Sequence, residues 1–228
     1  MIIKQQSSMP IHNAEQTAPL LLPFFILPPI HWYVLGITQG VFRVNDNELF
    51  SKQSLRSRYV IAGPNSLQTL SIPIHHEYRG LSLHEARIDY TQSWVKNHKQ
   101  AWQTAYGKSP FFEYYDYQFW KIFDSFPATI GELSKKLIPL LHANLGLHSL
   151  PIEWILTPQN IKDFQSNSMS QEAYEQNIRS LTIPSYSQVF EQKHGFRSGV
   201  SIIDLLFNKG PMAIEYFVHF NPQPPQKK

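Results

Sequence analysis

ELFSKQSLRSRYVIAGPNSLQTLSIPI, residues 48–74, runs from a short cationic segment into two alternating apolar runs. Over Arg56–Ala62 one face carries Arg56, Arg58, Val60 and Ala62 and the other Ser57, Tyr59 and Ile61, while Leu70, Ile72 and Ile74 share a face on the return. Between the runs stand Gly63, Pro64, Asn65 and Ser66, residues that set φ or close local hydrogen bonds, so the pattern predicts an antiparallel β-hairpin. Glu48, Lys52, Gln53, Arg56 and Arg58 gather at the mouth of one strand. Two guanidiniums two residues apart on a strand point the same way and can clamp a carboxylate or phosphate through paired, charge-assisted hydrogen bonds. The other reading of the same residues is a solvated edge whose positive side chains discourage strand addition.

Upstream, Pro19–Ile37 is almost wholly apolar, long enough to raise a membrane span. Prolines at 19, 23, 28 and 29 interrupt it, and the polar residues before it carry a single lysine, Lys4, which does not suit a secretory leader. The pattern therefore predicts a buried strand at Phe24–Leu27, a helix over about Ile30–Thr38 and a short strand at Val41–Val44. Downstream come a polar loop, His75–Gly80, and a strand near His84–Ile88.

Trp94, His98, Ala101, Trp102 and Ala105 recur at helical spacing on one face of Ser93–Tyr106, with Gly107 as terminator. His98 thus falls in an aromatic stripe, either as a core histidine with a backbone partner or as a base facing a substrate. Phe111–Phe123 is dense in aromatic residues and reads as helix-packing core, with tyrosines able to meet a ligand at a rim. Thr129 and Glu132 form a capping box for a helix that reaches about Asn144 past Pro139, and Ile152–Leu156 reads as a strand. From Thr157 to Ser185 the chain is polar and poorly periodic, a long connection with at most one helix near Gln171–Arg179 and a candidate lid. Ser201 and Asp204 then open a short apolar helix closed by Gly210 and Pro211. Asp204, flanked by large apolar residues, is either a cap or a buried acid that orients an arginine or histidine.

Composition sets bounds on all of this. The 228 residues are 42% hydrophobic and 16% charged, enough for one globular domain with a substantial core. A net charge of +3 with no lysine-arginine run longer than a pair, as at Lys227 and Lys228, does not favour a nucleic-acid partner. The absence of cysteine excludes disulfides and thiolate chemistry and is compatible with a reducing cytoplasm; the ten histidines show no metal-ligand spacing, so no metal site is expected. Short strands interleaved with longer helices predict an α/β fold. The expectation is a single domain over residues 19–220 with a small mixed sheet that includes the hairpin near 56–74, surrounded by helices, plus a loose arm (1–18) and a frayed tail (221–228).

Four stretches, taken together and in order, resemble the shorter branch of the WbqC-like protein family. They are Lys52-Gln53-Ser54-x-Arg56-x-Arg58; Leu70-Ser71-Ile72-Pro73-Ile74; Trp94-x-x-x-His98 leading to Tyr106-Gly107-Lys108-Ser109-Pro110-Phe111-Phe112; and Ser201-Ile202-Ile203-Asp204 through Asn208-Lys209-Gly210-Pro211. The resemblance implies an intracellular, cytoplasmic bacterial protein linked with cell-surface polysaccharide (O-antigen) assembly, acting on amino sugars by acyl or aminoacyl transfer. It names no cofactor. On that reading Lys52, Gln53, Arg56 and Arg58 bind a small anionic ligand or sugar nucleotide, Trp94 and Tyr106 wall the pocket, His98 is the base and Asp204 its acidic partner. Longer family members begin with His-Gln-Pro-x-Tyr where this chain has Leu22, Pro23, Phe24, Phe25 and Ile26, and Ser57 stands in place of the asparagine usual between the two arginines. The alternative is a non-catalytic scaffold that docks an acidic partner or membrane surface through the basic patch.

Overall fold

The computed structural model describes residues 21–46, 48–50, 55–78, 81–155, 181 and 183–218. Lys52, Gln53, the arm, the tail and the 157–180 part of the long connection lie outside them. The elements are α1 (Ile30–Gln39), β1 (Phe42–Asn45), β2 (Arg58–Ala62), β3 (Leu67–Ser71), α2 (Trp94–Tyr106), α3 (Phe112–Phe123), α4 (Ile130–Asn144), β4 (Ile152–Ile155), α5 (Glu191–His194), α6 (Ile202–Lys209) and α7 (Ala213–Val218). The α/β class holds, with strands of both senses. β1 and β4 pair in parallel, Phe42 opposite Ile152, and β2 and β3 form the antiparallel hairpin, Tyr59 opposite Leu70.

The hairpin turn is where its residues require it, closed by Gly63 N–H donating to the Ser66 carbonyl at 3.1 Å. The strand begins later than alternation suggests. Leu55–Ser57 is a 3-10 turn, so Arg56 does not share a strand face with Arg58. Phe24–Leu27 is buried but not a strand; single bridges flank it, Leu22 in parallel to Val44 and Pro29 antiparallel to Ser201. Prolines on both sides cap that run, and Trp32 Nε1–H takes the Pro23 carbonyl at 2.8 Å. The strand expected near His84–Ile88 is reduced to single bridges, Arg87 to Thr129 and Ile88 to Ile74.

One hydrophobic core runs from Leu22 and α1 through the hairpin to α6 and Phe217. Trp102 of α2 is fully buried among Tyr59, Phe119, Trp120 and Phe207. The hairpin joins the rest through Ser201 N–H, which donates to Val60 on the outer edge of β2, while Ile202 N–H donates to Pro28, each at 2.8 Å. Among the described residues no helix is long and apolar enough to cross a membrane.

Candidate functional site

The carboxyl ends of β1, β4 and the Leu22 bridge point the same way, and in open α/β sheets this end is where ligands bind. Asp46 follows β1 directly, its N–H on the Ile155 carbonyl at 3.2 Å. Its side chain is wholly buried, with His84 Nε2 2.8 Å from Oδ1 and Lys135 Nζ 2.7 Å from Oδ2. These ion-pair contacts are close, but neither carboxylate oxygen has a partner at good hydrogen-bond angles. His84 and Lys135 keep 30% and 35% of their side chains exposed, so both can meet a ligand while Asp46 cannot. Lys135 also lies over the Trp154 ring, 5.6 Å from its centroid.

Local chain geometry builds this cluster. Residues 48–50 pair with 81–83: Phe50 N–H donates to Leu81 at 2.8 Å and Leu83 N–H to Glu48 at 3.0 Å, so His84 is carried over the end of β1. Gly131 N–H takes the Leu83 carbonyl at 3.0 Å and sets the first turn of α4 against His84. A Cβ at Gly131 would sit 3.0 Å from His84 Nδ1 and 3.2 Å from its Cα. Four residues on, one helical turn further, Lys135 projects from the same face.

Glu48 lies two residues beyond Asp46. It accepts the Phe24 N–H at 3.2 Å and forms a buried ion pair with Arg56. Burial raises the Glu48 carboxyl above its ordinary range, an effect opposed by the Arg56 charge and by hydrogen bonds from Phe24 and Arg56. The Arg56 guanidinium also stacks 5.3 Å from the centre of the Phe25 ring. Arg58 borders a cavity of about 40 Å³ together with Phe25, Leu27, Pro29, Gly199 and Ser201. That is room for about one water molecule.

The other expected site residues lie deeper. His98 Nδ1 is 3.0 Å from the Tyr59 hydroxyl, which itself accepts Trp102 Nε1–H at 2.9 Å, and His98 Nε2 is 3.2 Å from the Ser71 carbonyl on the outer edge of β3. Nε2–H donating and Nδ1 accepting satisfies the whole chain, with a neutral ring, and burial pulls its pKa down to about 4. Trp94 packs between Tyr90, His98 and Phe123. Tyr106 is buried against Phe207.

Asp204 is not the cap of α6: Ser201 makes no side-chain cap bond, and the Asp204 carboxylate turns inward. Its Oδ1 accepts from Tyr186 Oη at 2.7 Å and Gln188 Nε2 at 2.9 Å. Oδ2 and the Tyr106 hydroxyl have no well-angled partner among the described residues, although each influences the other's ionisation. Burial raises the Asp204 carboxyl, and hydrogen bonds led by Tyr186 and Gln188 oppose the rise. The residues this acid orients are a tyrosine and amides, not an arginine or histidine.

Sequence reasoning missed Asp46, His84 and Lys135. The available signal was an acidic residue directly after a short apolar strand; the two partners arrive from loops and a helix far along the chain. Among the described residues no group of three or more His, Asp or Glu side chains could hold a metal ion.

No curated protein and no solved structure matches this chain. A family model does match, over residues 25–169 and 162–216, which takes in both the strand-end cluster and the Asp204 network. The chain belongs to the WbqC-like protein family.

Proposed function

We propose that this protein acts on amino sugars in the assembly of bacterial cell-surface polysaccharide, passing an acyl or aminoacyl group to the sugar amine at the carboxyl ends of β1 and β4. The observation that supports it is the buried Asp46 carboxylate held against a partly exposed imidazole and a partly exposed ammonium. A carboxylate behind a histidine fixes the ring and stabilises the imidazolium formed when the ring takes a proton. The amine nitrogen forms a bond to the donor's carbonyl carbon, and the donor's leaving group departs with its electron pair. His84 receives the proton the amine gives up. Lys135 lies beside the oxyanion that develops, and contacts of imperfect angle tighten around a bound substrate.

Lys52, Gln53 and Arg58 are the proposed anion-binding group for the donor, and Arg56, buried against Glu48, positions it. His98, both nitrogens engaged, acts by tying α2 to the edge of β3, and Trp94 supports it from behind. Asp204 and Tyr106 support α6 in the same way. The same arginines serve the alternative, a scaffold that docks an acidic partner. Burial of the Arg56 charge against Glu48 and the pairing of Arg43 with Glu153 at 2.9 Å favour the first reading over it.

Mass spectrometry of amino-sugar nucleotides incubated with acyl and aminoacyl donors tests this. Product is expected with the native chain, and His84→Gln or Asp46→Asn is expected to slow its formation by about 10²–10⁴-fold. A bound nucleotide sugar should also stabilise the protein by about 2.7 kcal/mol at a hundredfold excess over Kd. Absence of both product and thermal stabilisation across the donor and acceptor panel would reject the reading.

A further inference from the structure

The last two helices and the segment before α5 line an open cavity of about 520 Å³, which shares no residue with the strand-end cluster. Phe111, Tyr186, Met212 and Tyr216 form its apolar walls. The walls are preformed. Tyr186 Oη donates to Asp204, Tyr216 Oη donates to the Pro184 carbonyl at 2.6 Å, and the two rings meet edge to face at 5.5 Å. Phe111 is pinned by its N–H on the Phe207 carbonyl at 3.0 Å, and Gly210 leaves room for its ring where a Cβ would overlap it. With both phenol groups engaged, the tyrosines offer ring faces rather than hydroxyls.

Two charged side chains complete the lining. Lys209 ends α6 and Glu215 stands in α7, six positions on across the Gly210–Met212 turn. Both border the cavity, and neither forms an ion pair with the other or with any described residue. The volume is in the range of small-molecule sites. A nucleotide would set several negative charges against one lysine with a carboxylate facing them, and a neutral sugar would desolvate both charges with no counterion. A ligand with one ammonium, one carboxylate and an apolar body meets every feature.

We propose that this cavity binds a free α-amino acid with an aromatic or branched apolar side chain, its carboxylate on Lys209 and its ammonium on Glu215. The side chain lies against Tyr186, Tyr216 and Phe111. Asp204 is a positioning residue here, holding Tyr186 and, through its backbone carbonyl at 2.8 Å, the Asn208 amide. The site stands independently of acyl transfer at the strand ends.

Calorimetry and thermal shift with L-phenylalanine and L-leucine, in the absence of any donor or sugar, test it. L-Phenylalanine is expected to bind, and N-acetyl-L-phenylalanine and L-phenylalaninamide, each lacking one charge, are expected to bind at least about tenfold more weakly. Glu215→Gln should erase the preference over the N-acetyl compound, and Lys209→Met the preference over the amide. The comparison of capped and free ligands needs only the native chain, so it survives a variant that fails to fold. No binding of either amino acid at millimolar concentration, or equal binding of the capped forms, would overturn the assignment.

Discussion

Burial holds His31, His98 and His142 each at about 4, against 6.5 for a free imidazole. Each folded value lies below the unfolded one, so on acidification the unfolded chain takes up protons first. Stability is whole above about 6.5 and is lost as pH falls toward about 4, at about 1.4 kcal/mol per pH unit per group. Glu48 and Asp204 have the opposite sign: their folded carboxyls are raised, so they retain protons the unfolded chain has released, and they favour the fold at the acid end. Urea titrations across that window are expected to show stability falling with acid through the histidine range. His98→Gln, which preserves a donor and an acceptor, should flatten the slope by about one proton. A second single-residue effect concerns the Glu48–Arg56 pair. Glu48→Gln removes the carboxylate paired with the buried Arg56 charge, and is expected to destabilise by about 3–5 kcal/mol in equilibrium unfolding.

Among the helices, the start of α4 has the most legible cause. Thr129 Oγ1 accepts the Glu132 N–H at 3.1 Å, and the Glu132 carboxylate returns to the Ala128 N–H at 2.8 Å. Thr129→Ala is expected to cost about 1 kcal/mol, or roughly 2–4 °C in Tm, measured by calorimetry. In α1, Gly36 faces β1, where a methyl group would overlap the Phe42 ring. Alanine normally stabilises a helix over glycine, yet Gly36→Ala is expected to destabilise by about 1–3 kcal/mol because the ring cannot withdraw from a packed core. An unchanged midpoint would show that β1 and α1 can separate. α2, α3, α4, α6 and the hairpin turn were all readable, since apolar spacing, a cap and turn residues act within a few positions. The bridges at Leu22 and Ile88 were not, because a strand of one or two residues has no period to read.

Across the whole molecule, local chemistry and long-range assembly divide the site between them. The expectation of a guanidinium pair assumed a strand through Arg56, and alternation alone could not register the 3-10 turn that sets Arg56 against Glu48 before β2 begins at Arg58. His98 was legible as a member of an aromatic stripe. Its two partners, Tyr59 and Ser71, belong to the hairpin and come to it only when α2 packs there. Asp46, His84 and Lys135 have sequence spacings that match no motif, and they meet only because residues 48–50 pair with 81–83 and Gly131 admits the imidazole. Periodicity, capping and turn chemistry were enough, from the amino acids alone, to establish an α/β chain with a hairpin at its cationic segment and an apolar α6. Which charged groups share a buried space was settled by packing, because an ion pair depends on distances in space that neighbouring residues along the chain do not encode.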